Sequence, residues 1–393
     1  MSQNNSLSFQ NTKIAFKYKS NAELQRAYWL LKIININFLT KIGPVLTNFA
    51  IKIGLPIVPL VKSTIFRHFC GGETIQECEK TIRSLAKAGV GTILDYSVEG
   101  EQEETVFETT CQEIIKTIRR AKGDKRMPFA VFKVTGVARF SLLEKTAARK
   151  ALSKSERVEL DGIKDRINRI CEAAYQANLP VMIDAEETWI QATIDRIAID
   201  MMRKYNVEGL LVLNTYQLYR QDKLKSLKKH IALAKKEGFI LGAKLVRGAY
   251  MEKERNRAQE LDYPSPIHEA KEHTDDDYNR ALQLCLENIS TVGLVAGTHN
   301  EYSCQLLVDL LAKYHIESNH KHVYFSQLFG MSDHLSFNLA NAGYNVAKYV
   351  PYGPVKAVLP YLFRRAQENT AIAGQMGREL RLVVQERKRR RLD

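Results

Sequence analysis

Residues 344–369 read YNVAKYVPYGPVKAVLPYLFRRAQEN. The first nine are mostly β-branched or aromatic, with one charge, as in a strand buried on both faces. Gly353-Pro354 breaks the run, and apolar residues then recur at helical spacing. This is one βα unit. Seven similar apolar runs precede it: GVGTILDYS (89–97), PFAVFKVTG (128–136), LPVMIDAE (179–186), EGLLVLNTY (208–216), FILGAKLVRGAY (239–250), VGLVAGTHN (292–300) and HVYFSQL (322–328). Each is followed by helix-like sequence. Eight such units predict an α/β fold, a distorted (βα)8, TIM-like barrel, with an N-terminal helical arm. The expected boundaries are 1–88 for a basic amphipathic arm and 89–393 for the barrel, a clamp helix and a basic tail. No GxGxxG follows any strand, which argues against a Rossmann dinucleotide site.

A barrel places its chemistry at the C-terminal ends of its strands. Those ends carry Asp95 and Glu99, Lys133, Asp184 with Glu186 and Glu187, Asn214 with Gln217, Lys244 with Arg247, Thr298-His299-Asn300, Gln327, Tyr349 and Tyr352. Any one of these could be a solvated loop residue; together they predict a polar pocket. Beyond the eighth strand, Pro360 is expected at the first position of a helix. On it Tyr361, Arg364, Arg365 and Glu368 recur at three and four residues and share a face. Two adjacent guanidinium forks suit a carboxylate or a phosphate. The segment His268-EAKE-His273-TDDD reads as a polar insertion without a regular face and makes a weak metal candidate; no metal is expected.

Lys+Arg 58 against Asp+Glu 44 gives a formal charge of +14. Residues 1–70 hold nine basic residues and one acid, and residues 378–393 hold seven basic residues and three acids. The two ends therefore carry most of the excess. In the arm the lysines are interleaved with Leu, Ile, Trp29 and Phe38, closer to an interfacial amphipathic helix than to a nucleic-acid surface. A helical arm packing its apolar face on the body, with lysines facing water, is the first reading and membrane contact the second; the two are compatible. ERKRRRLD at the end reads as a solvated tail. Six scattered cysteines without CxxC spacing read as buried thiols of a reducing compartment. No apolar run is long enough to span a membrane. The first residues resemble neither a signal nor a transit peptide, so the mature chain is expected to begin at or near Met1.

KLVRGAYMEKER (244–255), GTHNEYS (297–303), FSQLFGM (325–331) and KYVPYGPVKAVLPYLFRRAQEN (348–369) closely resemble the proline dehydrogenase family, as do IDAEET (183–188) and VFKVTG (131–136). The resemblance implies noncovalent FAD on a distorted barrel and hydride transfer from C5 of L-proline to flavin N5, giving Δ1-pyrroline-5-carboxylate. It implies that Arg364, Arg365 and Lys133 hold the carboxylate, that Leu328, Tyr349 and Tyr361 pack the ring, that Asp184 supports the clamp, and that Glu99 gates the site. It places FAD contacts on Asn214, Lys244, Val246, Arg247, Gly248, Thr298, His299, Asn300 and Glu368. Asn214 stands where a glutamine is common and Lys244 where an arginine reaches the flavin; eukaryotic-type members share KLVRGAY and NTYQ, so both changes suggest a branch. Hydroxyproline-using relatives carry a smaller residue where Tyr349 stands. The resemblance further implies a membrane quinone as acceptor, peripheral contact with an anionic membrane and no nucleic-acid partner. Pyrroline-5-carboxylate dehydrogenase is expected as a separate chain. The expected location is the cytoplasmic inner face of the membrane, or the mitochondrial inner membrane in a eukaryote. Two other classes remain open at this point: a barrel that binds a phosphorylated substrate without redox chemistry, and a membrane- or nucleic-acid-binding scaffold.

Overall fold

The computed structural model describes residues 7–34, 56–97, 103–371 and 375–392. Glu99 and the side chain of Glu368 lie outside the described residues, as does the arm from 35 to 55. The eight expected strands are present: β1 (Val90–Tyr96), β2 (Ala130–Lys133), β3 (Val181–Asp184), β4 (Val212–Gln217), β5 (Leu241–Val246), β6 (Val292–Gly297), β7 (Val323–Leu328) and β8 (Val346–Tyr352). They form one sheet in the order β1-β8-β7-β6-β5-β4-β3-β2. Each described ladder is parallel, and β1 runs beside β8 from Val90↔Val346 to Tyr96↔Tyr352. Pairing of first and last strand distinguishes the (βα)8 barrel from an open sheet. The hydrogen-bonded order ends at β1 and β2, which is where the barrel departs from a regular one.

Helices connect the strands, and local chemistry sets their ends. Helix Lys154–Ala177 begins with a Ser153/Glu156 capping box and ends on left-handed Asn178, satisfying donors that the first turn leaves open. Helix Lys223–Glu237 stops at Gly238, whose φ of 77° suits glycine. β4 and β8 are buried along their whole length, which explains why their sequences do not alternate.

The chain divides into two compact units, residues 1–99 with 327–393 and residues 100–326. In the first, Leu24, Leu31 and Ile34 of helix Asn21–Ile34 share a core with Phe66, Phe69, Val358, Leu362, Leu382 and Val383. The arm therefore buries its apolar face, while Trp29 and Ile33 remain half exposed and the Lys32 ammonium lies 5.2 Å from the Trp29 ring centre.

Three expectations are corrected here. ERKRRRLD is not a solvated tail: helix Gln375–Arg389 runs through its first half, to Arg389. Glu386 is buried between Arg389 and Arg390, Arg390 donates to the carbonyls of Phe16 and Lys19 at 2.6 and 2.7 Å, and the Arg387 guanidinium sits 3.9 Å from the Tyr28 ring centre. Long arginine stems pack while their forks satisfy the exposed carbonyls of the arm. Pro360 does not open its helix, which spans Val355–Ala371; a Glu73 carboxylate oxygen accepts from the Val355 N–H at 3.1 Å at the true start. Pro360 instead lies inside, where it lacks the N–H that would reach the Lys356 carbonyl. His273 is not in an irregular insertion but on helix Lys271–Leu286. There Asp277 pairs with His268 at 3.0 Å and Asp275 with Arg247 at 2.6 Å, so these two acids already have side-chain partners.

Candidate active site

Residues opposite one another in a parallel ladder point to the same face, and neighbours along a strand to opposite faces. Lys133 stands opposite Asp184, and Lys244 stands opposite Thr215 on one side and Val295 on the other. The Lys244 ammonium reaches past β4 to an Asp184 carboxylate oxygen at 2.6 Å. These contacts put Lys133, Asp184, Thr215 and Lys244 on one face at the C-terminal ends of β2 to β5. Lys244 is buried and Asp184 partly so, and the two partly offset one another's desolvation.

Asn214 lies on the other face. Its register partners are Ile183 and Ala243, and its Nδ2 donates at 2.9 Å to Asp195 on helix Thr188–Tyr205. Asp195 also receives the buried Lys223 ammonium and the Gln191 amide. Tyr216, two residues on, meets His230 of helix Lys223–Glu237 at 2.8 Å. The even-numbered residues of β4 therefore face helices. Gln217 takes the phase of Thr215 and Lys244. It is buried, its Nε2 donates to the Glu186 carbonyl at 3.0 Å, and its Oε1 has no partner among the described residues. The resemblance names Asn214, and not Gln217, among the expected cofactor contacts. In a strand apolar on both sides, nothing local shows which of two amides, three residues apart, faces inward.

Past β5, Arg247 is held on all three nitrogens. Nε donates to Asp275 at 2.6 Å, one terminal nitrogen to Thr298 Oγ1 at 2.7 Å and the other to Ser303 Oγ at 2.9 Å. Its guanidinium lies 4.4 Å from the Tyr278 ring centre. Asn300 caps helix Glu301–Lys313, accepting from the Ser303 N–H at 3.0 Å. Thr298, Asn300 and Arg247 thus meet at a helix N-terminus, a setting that favours negative charge. His299 is half-buried between them in sequence, and Val246 is the half-buried last residue of β5. Gly248 has φ 145°, and a Cβ there would lie 2.5 Å from the Tyr219 ring; only glycine fits.

Glu186 is buried just beyond β3, and its carboxylate accepts from the Thr135 N–H at 3.0 Å and from the Thr135 hydroxyl. Burial pushes its carboxyl up to about 7, with Glu187 adding to the shift and the Thr135 hydrogen bonds opposing it. The folded state therefore holds this proton more tightly than the unfolded chain. The resulting stabilisation is full below the ordinary value of 4.5, is lost as pH rises to about 7, and stays constant above. Across that window the loss is about 3 kcal/mol. Glu186→Gln should flatten the pH dependence of unfolding free energy there; an unchanged slope in denaturant titrations would show that Glu186 is not its source.

In the other compact unit, Tyr349 stands opposite Ile93 on β1, and its carbonyl accepts from the Phe329 N–H at 2.8 Å, one residue after Leu328 ends β7. Tyr361 and Arg365 lie one turn apart on helix Val355–Ala371, both buried, with the guanidinium 5.1 Å from the ring centre. Arg364 beside them is half-buried.

The family model for proline dehydrogenase matches residues 78–378. Proline dehydrogenase 1, mitochondrial, of Dictyostelium discoideum is 34% identical over 435 residues, covering 98% of this chain and 76% of that protein. The human protein of the same name is 37% identical over 270 residues, covering 68% of this chain and 45% of the human one. Among solved structures, proline utilization A (PutA) from Bdellovibrio bacteriovorus, inactivated by N-propargylglycine, gives a TM-score of 0.72 at 18% identity. That match spans 91% of this chain and 38% of the PutA chain, and it is a likeness of fold. This chain thus spans less than half of the human and PutA chains. With the family's matched region running through all eight strands, the chain belongs to the proline dehydrogenase family of oxidoreductases.

Proposed function

We propose that this chain oxidises L-proline to Δ1-pyrroline-5-carboxylate with FAD as its cofactor, the first step of proline catabolism to glutamate. The observation that carries this reading is the cluster of Lys133, Asp184, Lys244 and buried Gln217 on one face at the strand ends. A barrel interior built for stability alone would be filled with branched apolar side chains there.

The residues present fit a flavin. Gln217 Oε1 is a buried acceptor without a partner among the described residues, suited to a ring N–H. Arg247, Thr298 and Asn300 at the start of helix Glu301–Lys313 suit a diphosphate. Gly248 permits close backbone approach. We therefore assign the amide contact to Gln217 in place of Asn214, whose side chain lies on the helix face of β4 with its Nδ2 donating to Asp195. Lys244, Val246, His299 and Glu368 keep their proposed places at the cofactor. FAD, when bound, supplies the hydride acceptor at N5.

The chain's own residues do the rest. Arg364, Arg365 and Lys133 bind the substrate carboxylate, and Asp184, through Lys244, orders the cationic side of the site. Three cations near the substrate disfavour a further positive charge, so they favour the neutral amine. Its lone pair forms the C5=N bond as the C5–H bond breaks and hydride leaves, and the protonated imine that results gives up its N–H proton to water to become Δ1-pyrroline-5-carboxylate. Leu328, Tyr349 and Tyr361 hold the ring, and Glu99 gates the site. Lys244 and Arg247 stabilise negative charge that develops on the cofactor side.

A membrane quinone is the proposed electron acceptor, with product passing to a separate dehydrogenase. No helix among the described residues is long and apolar enough to cross a membrane; half-exposed Trp29 and Ile33 beside Lys32 support peripheral contact with anionic lipid instead. Proline-dependent reduction of a dye by flavin-loaded protein tests the reaction. Protein that shows no flavin absorbance after incubation with FAD would end it.

A further inference from the structure

The loop after β7 follows Leu328 and opens the connection, through helix Asp333–Asn341, to β8 and Tyr349, and it is unusually constrained. Gly330 has φ 78° and Ser332 φ 51°, the second a left-handed conformation that a serine rarely adopts and that costs about 1–3 kcal/mol. A Cβ at Gly330 would meet the His68 carbonyl oxygen at 2.4 Å. Such a loop persists only when its surroundings over-determine it.

Those surroundings are charged and buried. Lys348, fully buried in β8, donates to the Met331 carbonyl at 2.6 Å and the Leu328 carbonyl at 3.3 Å, and pairs with Asp333 Oδ1 at 2.9 Å. The second Asp333 oxygen meets the Lys19 ammonium at 3.1 Å. A Glu379 carboxylate oxygen accepts from the Ser332 N–H. Burial pushes the Asp333 carboxyl up, yet Lys19 and Lys348 beside it hold it well below the ordinary carboxylate range. Lys19 comes from the N-terminal arm, more than 300 residues from the loop, and Glu379 from helix Gln375–Arg389, 47 residues from Ser332. An apolar side chain would fill the Lys348 position at lower desolvation cost. What the charge adds is two fixed carbonyls, at Leu328 and Met331. The Phe329 N–H bond to the Tyr349 carbonyl carries that placement across to β8.

We propose that Lys19, Asp333, Lys348 and Glu379 are positioning residues that set Leu328 and Tyr349 against the substrate ring, so that both ends of the chain help determine substrate fit. This rests on the assignment of Leu328 and Tyr349 to the ring. Lys19 is the member to change, because it is partly solvent-accessible and remote from the chemistry. In flavin-loaded Lys19→Met, the Phe329 and Ser332 amides should exchange hydrogen at least about tenfold faster. KM for proline should rise about three- to tenfold with kcat nearly unchanged. Flavin content should stay the same, and Lys19→Arg should restore both values. If Lys19→Met unfolds, Lys19→Gln, which keeps a donor, should show the same two changes in smaller degree. Unchanged exchange and KM in a folded variant would overturn the proposal, as would faster exchange without a KM change. Tyr349→Ser separates the two levels: if it alters proline KM while Lys19→Met does not, the ring assignment stands and the positioning role falls. If neither alters it, the assignment itself is wrong.

Discussion

Arg365→Met should lower kcat/KM for L-proline by about 10- to 150-fold while leaving the flavin bound, and Arg364→Met should do the same. Each substitution removes a charge-assisted contact to a carboxylate worth roughly 1.5–3 kcal/mol. Arg365 is buried, so its charge acts in a medium that screens weakly. Its guanidinium is held over the Tyr361 ring one turn away, which fixes the plane of the fork before substrate arrives. Lysine in its place keeps the charge but loses the planar fork, and should recover only part of the efficiency. The loss should appear mainly in KM if the clamp binds ground state and transition state alike. Steady-state kinetics on flavin-saturated protein provides the measurement. Wild-type efficiency in both methionine variants would remove these arginines from the substrate site.

A second large effect is expected in substrate choice. Tyr349 is buried at 6% exposure, on the face of β8 opposite to that of Lys348. A phenol ring gains contact area against the C4 methylene of proline. Against a C4 hydroxyl it clashes or leaves the hydroxyl unpaired, at roughly 1–3 kcal/mol. The enzyme should therefore prefer L-proline to trans-4-hydroxy-L-proline by about 5- to 150-fold in kcat/KM, and Tyr349→Ser should narrow the ratio by opening space and adding a hydrogen-bonding group. Equal efficiency on the two substrates in the unmodified enzyme would mean that Tyr349 does not face C4.

How far the site was legible differs from residue to residue. Lys133, Asp184 and Lys244 stood out because each is a charge at or near the end of an apolar run, and register brings those three to one face. Arg247 was visible for the same reason, but its companions Asp275 and Ser303 come from other helices. Gln217 was obscured by Asn214, since β4 offers no alternation from which to read its phase. Pro360 looked like a helix start because proline is most at home there. The helix in fact begins where Glu73, far off in sequence, caps Val355.

What the sequence by itself determined is the set of eight strands, the parallel barrel they make and the family they belong to. Strands buried on both faces must be written as continuous apolar runs, and a helix must follow each to bring the chain back to the same end of the sheet. Those demands are local, so they remain readable in a linear string. Tertiary structure alone decided which face Asn214 and Gln217 take, how the basic C-terminal segment docks on the arm, and how Lys19, Asp333, Lys348 and Glu379 converge on one loop. Their positions depend on contacts between residues far apart in the chain. A buried charge has to find its partner wherever the fold delivers one, and that requirement leaves no periodic mark along the chain.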